Sequence, residues 1–244
     1  MGISWQDVED ACAENRELAG AIRKLERLYG CGAPIDWARS RARCAEVLEI
    51  FRAGHQPSEA IASLLEGADY VVGGDEHHLV RHEFRRDRVY KLTHSSLFGC
   101  YSYFSPLDPE LTGKHFHGSG NEDLIFYLRR WMLLNSMSSF RTRFEGLLPA
   151  ELPQRVPRVC VSQPLVPGSN PERAAIATSL SLHGFERISE DAYLHRDTGI
   201  LLTDAAPRNV RIVDGKPVPF DAIAMLATEA VLAWVASRRL PAAR

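Results

Sequence analysis

The polar residues of one C-terminal segment have the types and spacing needed to hold a metal ion beside a separate carboxylate. Asp204 stands at the end of an apolar strand, and Asn209 follows it by five positions. A hairpin with a strong turn signal, Asp214-Gly215, then returns the chain so that Asp221 comes near Asn209. Amide and carboxylate oxygens are hard ligands of the kind that Mg²⁺ prefers. The competing interpretation is a polar turn before a strand, since an Asp and an Asn at this spacing also occur by chance.

Lys91 is the candidate for the cation that phosphate chemistry needs. It lies in the middle of a predicted strand, with Val89 and Leu92 as apolar neighbours. Phosphoryl transfer requires an ammonium on the phosphates, ligands for a metal, and a carboxylate that orients the attacking hydroxyl. These residues together can supply all three, so we form a phosphoryl-transfer hypothesis. By itself, a lysine in a strand is more often a solvated edge residue.

The elements that must position these residues are predicted from apolar spacing and turn signals. Residues 1–68 have the spacing of packing helices, with partner binding as the alternative. Three short antiparallel strands follow, and the third carries Lys91. Residues 94–120 are predicted as a long irregular loop, and a helix runs from about Asn121 to Met137. Two further strands then lead into the extended segment Gln163-Pro164.

The succession of these landmarks resembles the kinase-like domain of the polyvalent proteins of phages and conjugative elements. The resemblance covers roughly residues 70–225. Short motifs carry it: Gly74-Asp75-Glu76-His77, Arg88-Val89-Tyr90-Lys91-Leu92-Thr93, Tyr127-Leu128, Phe144-Glu145-Gly146, Ser162-Gln163-Pro164, Gly184-Phe185, Asp204 through Asn209-Val210, and Asp221. What is specific is the order of the motifs, because each one is short.

The resemblance implies an α+β, protein-kinase-like fold of two lobes. Residues 1–68 would be an N-terminal helical extension, and residues 69–244 the kinase-like domain. The N-lobe, at about 69–162, would contain an antiparallel five-stranded sheet. Residues 162–168 would be the hinge, and residues 169–244 a reduced helical C-lobe.

The resemblance also implies a role for each matching residue. Asp204 would be the catalytic base, while Asn209 and Asp221 would bind Mg²⁺ or Mn²⁺. Six residues would form the ATP site, which includes the lysine that contacts the phosphates and the partner of that lysine: Lys91, Gly73, Gly74, Glu122, Gln163 and Leu165. Glu122 would pair with the lysine, and the hinge residues would contact the adenine through their backbone.

Several positions depart from the kinase pattern. The phosphate-covering loop Gly73-Gly74-Asp75-Glu76 is not G-x-G-x-x-G, and Leu202-Thr203 stand where His-Arg would precede the catalytic Asp. The tripeptide His195-Arg196-Asp197 is too far upstream to replace them and is interpreted as a turn. Phe220-Asp221-Ala222 stands in place of Asp-Phe-Gly. The alternatives to an active phosphotransferase are therefore a nucleotide-binding pseudokinase and a helical protein-interaction module without turnover.

Composition and hydropathy argue against two classes of partner, nucleic acids and membranes. The formal net charge of −2 offers no electrostatic case for nucleic acid or an anionic membrane surface. No apolar run approaches the length of a membrane span, and the N-terminus lacks the regions of a secretory signal, so a cytoplasmic location is expected. Arg129-Arg130 is interpreted as a solvated face. The phosphoryl acceptor, a protein or a small molecule, stays open.

Overall fold

The computed structural model describes residues 2–29, 41–66, 70–71, 74, 76–80, 86–94, 99–106, 115–119, 123–150 and 156–238. Their helices are α1 (Trp5–Asp10), α2 (Ala13–Tyr29), α3 (Arg41–Ala53), α4 (Glu59–Glu66), α5 (Leu124–Met137), α6 (Arg173–Leu182) and α7 (Glu229–Ser237).

Thirteen strands lie in the same residues. They are β1 (Tyr70–Val71), β2 (His77–Val80), β3 (Arg88–Thr93), β4 (Tyr101–Phe104), β5 (Phe116–Ser119), β6 (Arg143–Leu148), β7 (Arg158–Pro164), β8 (Phe185–Ser189), β9 (Ala192–His195), β10 (Ile200–Thr203), β11 (Val210–Val213), β12 (Lys216–Pro219) and β13 (Ile223–Leu226). The predicted α+β class is confirmed, and all the recorded strand pairs are antiparallel.

The chain divides into two compact units. The N-terminal unit comprises Glu9–Cys100 and Gly120–Leu165. The C-terminal unit comprises Met1–Val8, Tyr101–Ser119 and Val166–Arg244. Helices α2 to α4 therefore belong to the same unit as the first strands.

The N-terminal unit is built on a five-stranded antiparallel sheet with the order β1-β2-β3-β7-β6, so β3 is central. Successive side chains of a strand point to opposite faces. Tyr90 and Leu92 of β3 pack with Leu65 of α4 on one face. Lys91, between them, points to the other face, where it meets Trp131 of α5.

Helix α5 is the buried centre of this unit. Its N-cap is Asp123, whose carboxylate accepts a hydrogen bond of 3.0 Å from the amide of Phe126. Helix α2 packs against α5, and the buried Asn15 side chain donates to the carbonyl of Met132 at 3.0 Å. The 3.6-residue repeat of the buried residues of α2 explains this packing: Leu18, Ala19, Ile22 and Leu25.

At Gly146 the backbone of β6 closely approaches the connection between α3 and α4. It follows an irregularity in the β6–β7 pairing and has a φ of +128°. A Cβ at this position would lie 2.4 Å from the carbonyl oxygen of His55. The same carbonyl accepts a hydrogen bond of 2.8 Å from the amide of Leu147. The close backbone approach therefore requires glycine.

The C-terminal unit contains a four-stranded antiparallel sheet with the order β13-β10-β9-β8. Helix α7 covers it through Val231 and Val235, which pack with Leu194 and Leu201 of the sheet. Two separate hairpins, β4–β5 and β11–β12, belong to this unit. The turn of the second contains Asp214 and Gly215, both with positive φ, as its sequence predicts.

Two sequence expectations are wrong in this unit. The predicted irregular loop at 94–120 contains the β4–β5 pair, because Tyr103 stacks on His117 and Phe104 packs against Phe116 across the strands. The expected helical C-lobe is mainly β: six strands and two helices lie in residues 169–238. Strands β9 and β10 are buried along most of their length, and a short continuous apolar run of this kind does not distinguish a strand from a buried helix segment.

Candidate functional site

Asp204 follows directly on β10, where the chain leaves the sheet. Its φ of +50° is left-handed, a conformation that Asp and Asn tolerate better than other residues with a side chain. Its Oδ1 accepts a hydrogen bond of 2.8 Å from Arg208, in an ion pair that is largely exposed. The turn is held to the sheet because the amide of Ala205 donates to the carbonyl of Asp191 at 3.0 Å.

Asn209 is the organising residue of this loop. Its side chain is buried, at 5% exposure for the residue, and its Nδ2 lies 2.8 Å from both the carbonyl oxygen and Oδ2 of Asp204. One amide group thus fixes the backbone and the carboxylate of Asp204 together. Since Nδ2 is used in this way, Oδ1 is the atom left to act as a ligand.

The β11–β12 hairpin brings Asp221 to Asn209. The carbonyl oxygen of Asn209 accepts hydrogen bonds from the amides of Phe220, at 3.0 Å, and Asp221, at 3.3 Å. The structure therefore brings together Asp204, Asn209 and Asp221, the three residues that the sequence groups into one site.

The donor set at these residues suits a hard divalent cation. Asn209 supplies an amide oxygen and Asp221 a carboxylate, both of the kind that Mg²⁺ or Mn²⁺ accepts. Soft ligands are not part of the set. Among the residues that the structure describes, no group of three or more His, Cys, Asp or Glu side chains is placed to hold a metal.

Lys91 belongs to the N-terminal unit. It is 3% exposed, in the central strand β3, opposite Leu79 on one side and Val161 on the other. Its ammonium lies 4.8 Å from the ring centroid of Trp131, which is fully buried. A cation at this distance over an indole face is stabilised by the negative face of the ring. The solvated-edge interpretation of Lys91 is wrong.

A buried ion pair fixes helix α5 to the turn before β2. Arg130 Nη1 lies 2.5 Å from Glu76 Oε2, and Glu76 Oε1 accepts a hydrogen bond of 2.9 Å from the amide of Cys100. His77 Nε2 is 2.8 Å from the hydroxyl of Tyr127. Burial raises the pKa of the Glu76 carboxyl, but the charges of Arg130 and His77 and the hydrogen bonds outweigh it and lower the pKa to about 2.

Arg130 corrects one interpretation of the sequence. The pair Arg129-Arg130 was expected on a solvated face, yet Arg130 is 2% exposed. Arg129 reaches outward and lies 3.2 Å from Glu26. The apolar residues that surround Arg130 in α5 are the sequence signal that it lies on a buried side, and Glu76 is its partner only through the fold.

The residues predicted as the hinge lie at the end of β7 and directly after it. Gln163 is buried and pairs with Val89 in the β3–β7 ladder, and the amide of Leu165 donates to the carbonyl of Asp87 at 2.8 Å. That bond occupies the one N–H of Leu165, whereas its apolar side chain is exposed. Gly74 is exposed with open space around it. Gly73 and Glu122 lie outside the described residues.

A cavity of about 260 Å³ opens beside Asp204 within the C-terminal unit. Its walls come from β10 and from the β4–β5 hairpin, where Ser102 hydrogen-bonds Thr203 through their hydroxyls. The β8–β9 turn adds the carboxylates of Glu190 and Asp191. Ile223 of β13 completes the described lining. No sequence pattern indicates this cavity, because four separate parts of the chain form it.

The predicted site residues thus fall into two sets. Lys91, Gln163 and Leu165 belong to the N-terminal unit, and Asp204, Asn209 and Asp221 belong to the C-terminal unit.

Comparison with protein-family models, curated proteins and solved structures found no match. Within the described residues, no helix combines the length and the apolar character needed to cross a membrane.

Proposed function

We propose that the chain is an ATP- and Mg²⁺-dependent phosphotransferase of protein-kinase-like type. The observation that carries the proposal is the double use of Asn209. Its side-chain nitrogen fixes Asp204, and its carbonyl oxygen accepts from the amide of Asp221. These bonds fix the Asp204 carboxylate and the Asn209 side chain and hold the backbone of Asp221 beside them. A carboxylate near residues with hard oxygen ligands is what phosphoryl transfer asks of a protein.

In this proposal each of the three site residues of the C-terminal unit, Asp204, Asn209 and Asp221, has a defined role. Asn209 Oδ1 and the Asp221 carboxylate would hold Mg²⁺, which neutralises charge on the nucleotide phosphates when it is bound. Asp204 would orient the acceptor hydroxyl and take its proton. Arg208 bonds one oxygen of this carboxylate and Asn209 the other, which fixes its orientation.

The N-terminal unit would contribute the phosphate cation and the adenine site. Lys91 is held on the rigid central strand by the face of Trp131, so its ammonium is positioned before any nucleotide binds. The boundary between the units, at Leu165 and Val166, falls inside the predicted hinge at 162–168. A two-lobed, kinase-like organisation is part of the proposal.

Calorimetric titration with ATP in the presence of Mg²⁺ tests the proposal. We expect binding by the wild type, and at least about tenfold weaker binding by Lys91→Met and by Asp221→Ala. The control is Asp197→Asn, which changes an exposed carboxylate of the same unit in the turn before β10. No binding by the wild type, or equal binding by all variants, would contradict the proposal.

A nucleotide-binding pseudokinase is the second candidate. The observation in its favour is that each carboxylate oxygen of Asp204 already has a partner within the chain, Arg208 or Asn209. Release of ADP from ATP distinguishes the two. Turnover that disappears in Asp204→Asn supports the phosphotransferase, and ATP binding without turnover supports the pseudokinase.

A further inference from the structure

The cavity beside Asp204 has the size and the lining of a binding site for a small molecule. Its volume of about 260 Å³ is slightly below the ~300 Å³ at which the range for drug-sized ligands begins, so it suits a smaller molecule. Asp204, the proposed catalytic carboxylate, is one of its walls. A hydroxyl group inside the cavity would therefore lie next to the group that takes its proton.

The charged side chains around the cavity determine which ligand charge is favoured. No Lys, Arg or His side chain is among the described residues that line the cavity, whereas Glu190, Asp191 and Asp204 are. Arg173 bonds both oxygens of Asp191 at 2.9 Å and lies 3.5 Å from Glu190, and Arg208 bonds Asp204. Among the described groups, three carboxylates against two guanidinium groups give an excess of one negative charge, which disfavours an anionic occupant.

The remaining walls are suited to a polyhydroxylated molecule. Ser102 and Thr203 are buried hydroxyl residues that can donate to or accept from a ligand oxygen. Phe116 and Ile223 supply apolar surface for a ring or a carbon chain. Hydrogen-bonding groups beside apolar surface fix the orientation of a small ligand.

We propose that this cavity is the acceptor site and that the acceptor is a small, neutral or cationic polyol of about the size of a hexose. The inference rests on the proposed function. In the transfer, the acceptor oxygen bonds to the γ-phosphorus of ATP while the bond from that phosphorus to the bridging oxygen breaks. The electron pair of the broken bond leaves with ADP, and the hydroxyl proton passes to Asp204.

Gly118 allows the cavity to be filled without strain. It pairs directly with Ser102 across the β4–β5 hairpin, so a side chain at 118 points to the same face as the Ser102 hydroxyl that contacts Thr203. A Cβ at this position meets nothing within 4 Å. Gly118→Leu should therefore occupy the cavity, and Gly20→Leu, at an open position of α2, is the matched control.

The test uses three ligands of one ring shape and different charge: glucosamine, glucose and glucuronate. Saturation-transfer NMR measures their binding to the full chain, and ADP release measures transfer. We expect glucosamine and glucose to bind and to stimulate ADP release. We expect glucuronate to bind about tenfold more weakly, because its carboxylate faces the net negative lining. Gly118→Leu should abolish binding of all three ligands, and Gly20→Leu should change nothing.

Glu190→Gln supplies a second variant that does not depend on filling the cavity. This exposed residue loses its charge, so the preference for glucose over glucuronate should shrink. Failure of both glucose and glucosamine to bind, equal binding of glucuronate, or binding that is unchanged in Gly118→Leu would overturn the inference. If ATP does not bind while the sugars do, the proposed function fails and the cavity assignment stands.

Discussion

The ammonium nitrogen of Lys91 lies 4.8 Å from the ring centroid of Trp131, and the guanidinium carbon of Arg130 lies 5.0 Å from the same ring. One buried indole thus contacts two cations, one from the central strand of the sheet and one from its own helix. The helix that carries the indole is fixed by the Arg130–Glu76 ion pair. The position of Lys91 is therefore set by packing around α5.

A double-mutant cycle measures the contact between Lys91 and Trp131. We expect Lys91→Met and Trp131→Leu to show a coupling of about 0.5–2 kcal/mol in the free energy of unfolding, the range for cation–π pairs. Urea denaturation of the four proteins gives this value. The control pairs Lys91→Met with the volume-conserving Met132→Leu on the same helix, where the effects should add. Additivity in the Trp131 cycle would contradict a cation–π contact.

Acid should reduce the stability of the wild type more than that of the Glu76→Gln variant, which lacks the titrating carboxylate. The pKa of Glu76 is lowered from 4.5 to about 2, so the unfolded state binds the proton first as the pH falls. The stabilisation is complete above pH 4.5 and is lost as the pH falls towards about 2.

Urea unfolding between pH 6 and pH 2 should therefore show a loss of a few kcal/mol in the wild type and a shallower decline in Glu76→Gln. Glu172→Gln, at an exposed position, serves as the control and should follow the wild type. Parallel pH profiles for the wild type and Glu76→Gln would show that the Arg130 ion pair contributes nothing in this range.

Substitutions of Asp204 should separate backbone conformation from chemistry. Asp204→Asn keeps a residue that tolerates a φ of +50°, so the midpoint of thermal unfolding should stay within a few degrees. Asp204→Val places a β-branched residue in the left-handed region and should cost about 1–3 kcal/mol. Thermal unfolding measures both effects, and ADP release should be lost in both variants. Equal stability of the Asn and Val variants would contradict the left-handed conformation.

Two glycines should respond to alanine in opposite directions. Gly146→Ala should destabilise the protein by about 2 kcal/mol or more, because the new Cβ would meet the backbone oxygen of His55 and φ is +128°. Gly20→Ala, inside α2 with open space around it, should stabilise by about 0.5–1 kcal/mol. Urea denaturation gives both values, and a neutral Gly146→Ala would mean that the two backbones are farther apart than described.

Local signals in the sequence predict the parts of the candidate site that lie close together in the chain. The Asp214-Gly215 turn specifies the β11–β12 hairpin, and that hairpin brings Asp221 to Asn209. The apolar strand before Asp204 and the alternation around Lys91 are likewise visible without coordinates. In each case a short run of residues carries both the conformation and the pairing.

Contacts between segments that are far apart in the sequence cannot be predicted from local signals. The apolar neighbours of Arg130 indicate burial, but its partner Glu76 lies 54 positions away and reaches it only in the folded chain. The β4–β5 hairpin lacks a short turn, and its aromatic residues are stabilised by Trp234 of α7. Burial of a charge or pairing of two strands at such separations depends on the assembled core, which no local pattern encodes.

The sequence by itself determined the residue types that could do chemistry, their order, and the two turns that group Asp204, Asn209 and Asp221. The tertiary structure decided which residues are buried with a charge, which helix meets Lys91, and that a cavity opens beside Asp204. The physical reason is that turn geometry is a property of neighbouring residues, whereas burial and cavities are properties of the packed chain.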